Sequence, residues 1–432
     1  MADVDWARGD LLGHDLPVHL DALRAAGPEF LTSAFRAAGT MDPRNCVAAI
    51  TRLEPFDGGS TGRKAVLSVR YEHEDPALPE HLFVKFSRDL DDEVRDRGKR
   101  QMESEVRFAL LSRMPDFPVA VPRCMFADQH LGSGSGVLIS ERIDFGGHGV
   151  EPHHPKARDY EVEDLRAHYD ALVSALARIA GTHRAGGFPE EVMAHFAPRA
   201  PKRSGSRRPP DTSAQVHERI QRYEDFAARY PQLLPESIRS DAFLALVREQ
   251  APRSVEHADA LRSAALEGER DLQAFCHWNA NIDNAWFWRN EHGELECGLM
   301  DWGNVGQMNV VTALNSCLLF AEPDFLVANL DHFFALFSEV VEGVGGGRMD
   351  PAAMRWQFSL QMVAGGLKWP LGAVPLIERT VPDLVDVTDR FDPRIADDEF
   401  PRTQLHLLTS ALTLWRTSDP RSVIDRAIDR AG

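Results

Sequence analysis

The segment Leu82-Phe-Val-Lys-Phe86 places one lysine, Lys85, in the middle of a short apolar strand. An ammonium group is costly to bury in such a strand unless an anion meets it. Glu105 lies on the next predicted helix, residues 91–114, and its carboxylate could pair with Lys85 across strand and helix. A lysine held in this way would direct its ammonium group toward a phosphate.

Short apolar runs separated by turn-forming residues predict a small sheet around Lys85. The predicted strands are residues 47–53, 65–71, 82–86, 123–128 and 137–143. The turn between the first two strands is Gly58-Gly-Ser-Thr-Gly62, where missing side chains would let backbone N–H groups approach phosphate oxygens. The predicted order is therefore β-β-β-α-β-β, and it ends near residue 145.

The remainder of the chain has mostly helical periodicity, and this predicts an α+β fold. We expect an N-terminal helical extension over residues 1–45, a small lobe with an antiparallel sheet over 46–145, and a larger helical lobe over 146–432. An isolated hairpin is predicted at 285–288 and 295–300.

A polar cluster, His277-Trp-Asn-Ala-Asn-Ile-Asp-Asn284, precedes this hairpin, and Met300-Asp-Trp302 follows it. The short hairpin would bring the amide oxygen of Asn284 close to the carboxylate of Asp301. Both are hard oxygen ligands, suited to a magnesium ion that carries substrate phosphates.

Taken in this order, the motifs resemble the protein-kinase-like small-molecule phosphotransferases, the superfamily of aminoglycoside phosphotransferases, choline kinases and ecdysteroid-kinase-like proteins. The resemblance covers roughly residues 28–320. It implies a bilobal protein-kinase-like fold. It also implies ATP- or GTP-dependent, magnesium-assisted transfer of phosphate to a small-molecule acceptor, which the helical segments 212–270 and 320–430 would bind.

The resemblance also implies roles for particular residues. The phosphate-covering loop would consist of Gly58, Gly59, Ser60, Thr61 and Gly62. Lys85 would contact the α- and β-phosphates with Glu105 as its partner, and Leu138-Ile-Ser-Glu-Arg-Ile143, which includes Glu141, would be the hinge strand that meets adenine. The metal ligands would be Asn284 and Asp301. The catalytic loop would contribute His277, Asn279 and Asp283.

The catalytic loop departs from the family pattern His-Gly-Asp-x-His-x-x-Asn. Asn279 replaces the expected general base, Trp278 replaces a small residue, and Asn281 replaces the second histidine. The acidic residue usual in the next helix is missing from Val310-Val-Thr-Ala-Leu314. An amide cannot accept a proton at neutral pH, although it can orient a hydroxyl group.

Three outcomes therefore stay open. Asp283 could act as the base, the acceptor could already be ionised, or the chain could bind nucleotide without turnover and act through a partner protein as a pseudokinase. The retained ionic residues favour an enzyme, a small-molecule kinase. Transfer of AMP instead of phosphate would also tolerate the loss of the base.

Each of these residues taken singly also has a structural explanation. Lys85 could extend to solvent from an edge strand, and Glu105 could be a solvated charge on a helix. Asn284 could be a turn residue and Asp301 a helix N-cap. Their occurrence together in this order favours a nucleotide site over four separate structural roles.

Composition restricts the partners and the compartment. The 432 residues include 48 Lys+Arg and 66 Asp+Glu, a formal net charge of −18, which argues against sequence-independent nucleic-acid binding. Five scattered cysteines suit a reducing compartment better than a disulfide framework. The start, Met1-Ala-Asp-Val-Asp-Trp, lacks the pattern of a signal peptide, and there is no membrane-spanning apolar run. We expect a soluble cytoplasmic protein with a small-molecule partner and no membrane or nucleic-acid partner.

One segment stands out from this acidic background. Residues 198–210 are basic and rich in Pro, Gly and Ser, without periodicity, which predicts a mobile loop. A second hypothesis is that residues 199–208 fold over an anionic acceptor.

Overall fold

A computed structural model of the chain describes residues 5–59, 61–196, 212–268, 270–365 and 367–431. Ser60 and the basic segment 199–208 lie outside the described residues. The chain divides into two compact units. The first comprises Met1–Pro152, Phe188–Ala197 and Trp286–Gly306, and the second comprises His153–Gly187, Pro198–Ala285 and Gln307–Gly432.

The strands are short, and most of them lie in the first unit. In chain order they are β1 (Trp6–Arg8), β2 (Asp15–Pro17), β3 (Val47–Phe56), β4 (Arg63–Tyr71), β5 (His81–Phe86), β6 (Cys124–His130), β7 (Ser135–Glu141), β8 (Gln273–Cys276), β9 (Ala285–Arg289), β10 (Leu295–Leu299) and β11 (Gly306–Asn309).

The helices lie mostly in the second unit. In chain order they are α1 (Leu20–Ala37), α2 (Glu93–Asp96), α3 (Met102–Leu111), α4 (Leu165–Arg184), α5 (Glu190–Met193), α6 (Ser213–Arg229), α7 (Glu236–Arg239), α8 (Asp241–Glu256), α9 (Ala258–Glu267), α10 (Val310–Leu318), α11 (Pro323–Gly343), α12 (Pro351–Ala364), α13 (Lys368–Leu371), α14 (Val374–Thr380), α15 (Pro393–Ala396), α16 (Glu399–Thr417) and α17 (Pro420–Ala431).

The first unit is built on one five-stranded sheet with the order β3-β4-β5-β7-β6, and each neighbouring pair is antiparallel. Helix α1 packs against β3. The core here includes Phe30, Phe35, Leu67, Val84 and Phe126, all at most 7% exposed. Because β5 lies in the middle of this sheet, its residues are fixed by hydrogen-bonded neighbours on both sides.

The N-terminal segment differs from the prediction of short helices over residues 1–45. Two short strands, β1 and β2, form an antiparallel ribbon before the single long helix α1. That helix is kinked at Gly27, which has a φ of 66°, and Pro28 is the next residue. The kink has a local cause, because a left-handed glycine and a proline without an N–H group both interrupt helical hydrogen bonding.

The hairpin β9–β10 belongs to the first unit although it follows more than a hundred residues of the second. The Leu299 N–H donates to the Ala120 oxygen at 3.0 Å, next to a parallel bridge between Ala120 and Gly298. A Cβ atom at Gly298 would lie 2.1–2.4 Å from the ring of Trp286. Only glycine allows this indole to lie against the strand.

The second unit is largely helical. Helix α4 packs against α11, and α16 contacts several other helices of this unit. Leu408, Leu412 and Trp415 on α16 are at most 1% exposed and belong to one large apolar cluster. Strands β8 and β11 form a two-stranded sheet that the sequence did not predict. Among the described residues, we find no helix with the length and apolar character needed to cross a membrane.

The predicted fold class is confirmed, because a small antiparallel sheet precedes a larger helical part of the chain. All five strands predicted between residues 47 and 143 are present, with ends shifted by up to three residues. The predicted helix 91–114 is instead two helices, α2 and α3, with a 3-10 turn at Lys99–Gln101 after Gly98.

Candidate functional site

The first unit holds an ammonium group between two carboxylates. Lys85 lies on the central strand β5, and its side chain is 15% exposed. Its Nζ donates to Glu105 Oε1 and to Asp301 Oδ1, each at 2.7 Å. The structure therefore brings the predicted pair Lys85 and Glu105 together and adds Asp301 to it.

The electrostatics of this cluster keep Lys85 charged. Burial alone would lower the pKa of Lys85, but the carboxylates of Asp301 and Glu105 outweigh burial and raise it above its ordinary value. Burial raises the pKa of Glu105, and the Asp301 carboxylate adds to this effect, whereas Lys85 opposes it. A buried ammonium group with two anionic partners is thus a fixed positive charge in the middle of the sheet.

Helix α3 carries Glu105 and packs against the residue that follows Asp301. Glu105 and Phe108 are one turn apart, so they lie on the same face of the helix. Phe108 stacks on Trp302 with ring centroids 3.8 Å apart and an angle of 8° between the planes. The Trp302 Nε1–H group donates to the Leu299 oxygen at 2.9 Å. Asp301 is therefore held between a hairpin strand and a stacked indole.

The backbone at Asp301 is unusual. Its φ is 61°, in the left-handed region that residues other than glycine seldom adopt. Such conformations persist where the surrounding structure imposes them, and they are frequent at functional sites. Here the conformation accompanies the contact between the Asp301 carboxylate and Lys85.

The Gly-rich turn between β3 and β4 is tied to the rest of the first unit. Gly62 has a φ of 57°, and a Cβ atom there would lie 2.0 Å from the Phe86 oxygen, so the position requires glycine. Arg95 donates to the Gly62 oxygen at 2.8 Å. The buried carboxylate of Asp89 pairs with Arg95 and Arg63 at 3.1 and 3.0 Å. These contacts fix the C-terminal end of the turn.

Sequence reasoning missed Lys64, which lies at the start of β4 just after this turn. Its Nζ donates to the Gly58 oxygen at 2.8 Å and to the Thr61 oxygen at 3.3 Å. In the register of β4 and β5 it lies directly opposite Lys85. Its position two residues after Gly62 was visible in the sequence, but only the strand register shows that it faces Lys85.

The predicted hinge residues lie at the end of β7. Glu141 is the last residue of this strand, and its N–H donates to the Arg123 oxygen at 2.8 Å. Its carboxylate accepts from the Arg123 N–H at 3.3 Å. Ile143 follows two residues later and is half-buried. A role for Glu141 and Ile143 in binding adenine stays a prediction.

In the second unit, the loop after β8 closes on Asn279. His277 is fully buried, and its Nδ1 accepts from the Asn279 N–H at 3.1 Å. The Asn281 amide donates to Asn279 Oδ1 at 3.0 Å, and the Asn284 amide donates to the Asn279 backbone oxygen at 2.9 Å. Trp278 is 39% exposed. Three hydrogen bonds within the loop therefore orient Asn279.

The donor types present fit a magnesium ion. The Asn284 amide nitrogen is engaged within its loop, which leaves the amide oxygen as the atom of this side chain that can act as a metal ligand. Asp301 offers a carboxylate. Magnesium is typically bound by one or two protein oxygen ligands together with substrate phosphates and water. Asn284 belongs to the second unit and Asp301 to the first.

Asp283 is the one carboxylate in the segment 277–284. Its Oδ2 pairs with Lys156 Nζ at 3.0 Å, and its backbone oxygen accepts from His153 Nε2 at 2.9 Å. Its Oδ1 is buried without a hydrogen-bond partner among the described residues. Burial raises the pKa of Asp283, whereas Lys156 opposes the rise. Sequence reasoning missed Lys156, because nothing local distinguishes it from other charged loop residues.

A second buried carboxylate lies in the same unit. Asp159 is 1% exposed and accepts from the Tyr169 hydroxyl at 2.5 Å. Burial raises the pKa of Asp159 to about 7, and the carboxylates of Glu322 and Asp283 add to the rise, whereas the Tyr169 hydrogen bond opposes it. Asp159 therefore changes its charge near neutral pH, and the nearby Asp283 carboxylate contributes to this shift.

Comparison of the sequence with protein-family models and with curated proteins finds no match. Among solved structures, a microcompartment-associated aminopropanol kinase is similar at 12% identity and a TM-score of 0.44, with 93% of this chain and 98% of that chain covered. A choline/ethanolamine kinase family protein from Mesorhizobium loti is similar at 16% identity and a TM-score of 0.36, with 92% and 99% covered.

The GDP complex of aminoglycoside 2'-phosphotransferase-IIIa is similar at 12% identity and a TM-score of 0.41, with 86% of this chain and 98% of that chain covered. These identities and TM-scores describe a distant likeness in fold, and the function of the present chain rests on its own residues.

Proposed function

We propose that this chain is an ATP- or GTP-dependent phosphotransferase that acts on a small-molecule acceptor. The observation that supports this most directly is Lys85, an ammonium group held by Glu105 and Asp301 at 2.7 Å each in the centre of a sheet. An apolar strand does not require a lysine for its packing. Phosphoryl transfer does require fixed positive charge beside the phosphates, because its catalysis depends on positioning and electrostatics.

The donor nucleotide would be bound by residues of the first unit. Lys85 would contact its phosphates, Glu105 would orient Lys85, and the turn 58–62 would cover the phosphate chain. Asp301 offers a carboxylate ligand for magnesium within this unit, and the Asn284 amide oxygen is a candidate ligand in the second unit. A bound magnesium ion would supply charge neutralisation at the phosphates.

In the transfer step, an acceptor oxygen forms a bond to the γ-phosphorus, and the bond from that phosphorus to the bridging oxygen breaks. The nucleoside diphosphate leaves with the electron pair. A hydroxyl acceptor must also lose its proton, and the Asn279 amide cannot accept it. Asp283 is the carboxylate of the same loop, and its raised pKa favours proton uptake. An acceptor that is already ionised needs no base, and Asn279 would then only orient it.

Calorimetric titration with Mg·ATP and with Mg·GTP tests the binding part of the proposal. The wild type should bind at least one of them, and Lys85→Met should weaken binding by roughly 10- to 100-fold, because a charged hydrogen bond contributes about 1.5–3 kcal/mol. Lys99→Met is the matched control, since Lys99 also pairs with a carboxylate, Asp96, at 3.2 Å in the first unit. No heat of binding with any purine triphosphate plus Mg²⁺ or Mn²⁺ would refute the proposal.

The release of nucleoside diphosphate with a panel of acceptors tests the transfer itself. The panel contains amino alcohols, aminoglycosides, sugars, sterols and carboxylates, so that hydroxyl and ionised acceptors are both represented. Mass spectrometry of the product separates transfer of phosphate from transfer of AMP by the mass added to the acceptor.

A second candidate function is a nucleotide-binding pseudokinase that acts through a partner protein. The observation that favours it is Asn279, whose side-chain oxygen accepts from the Asn281 amide, so that an amide is fixed where a base is usual. A pseudokinase would bind Mg·ATP as tightly as an enzyme but release no diphosphate with any acceptor. Turnover with one member of the panel would exclude it.

A further inference from the structure

Lys64 and Lys85 leave the sheet at neighbouring points. They are directly opposite each other in the antiparallel pair β4 and β5. Residues opposite each other in such a pair point to the same face, with Cβ atoms about 4.5–5.5 Å apart. Like charges at this spacing repel, and Lys85 already has two carboxylate partners. The second lysine therefore needs an anion or another acceptor of its own.

In this structure the acceptors of Lys64 are backbone carbonyl groups of the Gly-rich turn. Its Nζ bonds the oxygens of Gly58 and Thr61 at 2.8 and 3.3 Å. Gly59, between them, has a φ of 67°, and a Cβ atom there would lie 2.3 Å from this Nζ. The ammonium group thus lies within the turn, and a side chain at position 59 would displace it.

The charges around Lys64 show why its ammonium group would bind an anion in preference to the carbonyl groups of the turn. Burial and the positive charges of Lys85 and Arg95 lower the pKa of Lys64, whereas Asp301 and Glu105 oppose the change, and together these effects lower the pKa to about 8. Both carboxylates pair directly with Lys85, and Arg95 pairs with Asp89, whereas Lys64 donates to two neutral carbonyl oxygens. A ligand with several negative charges would be a stronger partner for Lys64 than these carbonyl oxygens.

We propose that Lys64 is a second phosphate-binding lysine that exchanges partners: it bonds the Gly58 and Thr61 carbonyls when no nucleotide is present, and the polyphosphate when nucleotide is bound. The exchange would also free the turn from its internal ammonium group, so that the backbone could adjust to the phosphates. This inference rests on the proposed function, and it identifies the polyphosphate, not the nucleoside, as the group that Lys64 recognises.

Calorimetry with Mg·ATP, Mg·ADP and adenosine tests the inference. Lys64→Met should weaken Mg·ATP binding by about 10- to 100-fold, the range for loss of a charged hydrogen bond, and should leave adenosine binding within twofold. Lys64→Arg should restore part of the affinity. Arg70→Met is the control for net charge, because Arg70 lies exposed on the same strand, and it should change no affinity by more than twofold.

The variant Lys64→Gln separates loss of the lysine charge from a change in the conformation of the turn. The glutamine amide can still donate to the Gly58 carbonyl but has no charge, so this variant should keep the turn and still lose affinity for Mg·ATP. If Lys64→Met and Lys64→Gln bind Mg·ATP as tightly as the wild type or more tightly, Lys64 only stabilises the turn and the inference is wrong. Equal loss for ATP and adenosine would also overturn the inference. Absence of Mg·ATP binding by the wild type would instead refute the proposed function, and the role of Lys64 with it.

Discussion

Replacing Lys85 with methionine should destabilise the protein in a way that depends on pH. Lys85 is 15% exposed, and its partners Glu105 and Asp301 are 9% and 45% exposed. Without the ammonium group, Asp301 can be hydrated, but Glu105 is left as a buried carboxylate with no cation. Removal of one member of a buried pair typically costs about 3–5 kcal/mol, because the other charge stays uncompensated.

Protonation of Glu105 sets an upper limit to this cost. Its ordinary pKa is 4.5, so at pH 7 proton uptake over two and a half pH units costs about 3 kcal/mol at about 1.36 kcal/mol per unit. The folded variant then binds one proton more than the unfolded chain between pH 4.5 and the raised pKa of Glu105, and its stability falls as pH rises through this range. At pH 5 the cost should be less than about 1 kcal/mol.

Urea unfolding of the wild type and of Lys85→Met at pH 5 and pH 7 measures this difference. The double variant Lys85→Met with Glu105→Gln should recover most of the loss at pH 7, because it removes the uncompensated charge. Glu103→Gln, in a helical pair with Arg107 at 2.5 Å, is the control and should change the unfolding free energy by about 0.5 kcal/mol or less. An equal loss at both pH values, or no rescue by Glu105→Gln, would refute the reasoning.

Three further predictions follow from other parts of the structure. Burial raises the pKa of Asp159 to about 7, so wild-type stability relative to Asp159→Asn should fall as pH rises from about 4 to 7; a difference in urea midpoints that does not vary with pH would contradict this. If the acceptor is a hydroxyl compound, Asp283→Asn should lower the rate of diphosphate release at least 10-fold, and Asn279→Asp should raise that rate. If the acceptor is already ionised, Asp283→Asn should change neither nucleotide binding nor turnover. Gly298→Ala should lower the thermal midpoint, at a cost of about 1–3 kcal/mol, because its Cβ would overlap the ring of Trp286; an unchanged midpoint would show that the indole moves freely.

Local pattern was enough to predict the sheet and its central lysine. The strands around Lys85 are short apolar runs bounded by turn residues, and their positions agree with the structure to within three residues. The pairing of Lys85 with Glu105 was also predictable, because a lysine in an apolar strand needs an anion and Glu105 lies on the helix that follows this strand. The position of the Gly-rich turn between β3 and β4 followed from glycine content alone.

Other features depend on where distant parts of the chain meet. Asp301 reaches Lys85 across 216 residues, and Lys156 meets Asp283 across more than a hundred. Neither contact leaves a periodic signal, since a charged residue in a loop has the same local pattern whether or not it has a partner. The ribbon β1–β2 was missed for a related reason, because three-residue strands are too short to show alternation.

The amino-acid sequence by itself determined the α+β class, the five strands of the main sheet, and the residue types that a phosphate and a metal would need. Tertiary structure alone decided that Asp301 completes the lysine cluster, that Lys64 fills the Gly-rich turn opposite Lys85, and that Lys156 neutralises Asp283. The physical reason is that periodicity reports which face of one element is buried, whereas ion pairing depends on strand register and on the path of the chain between elements.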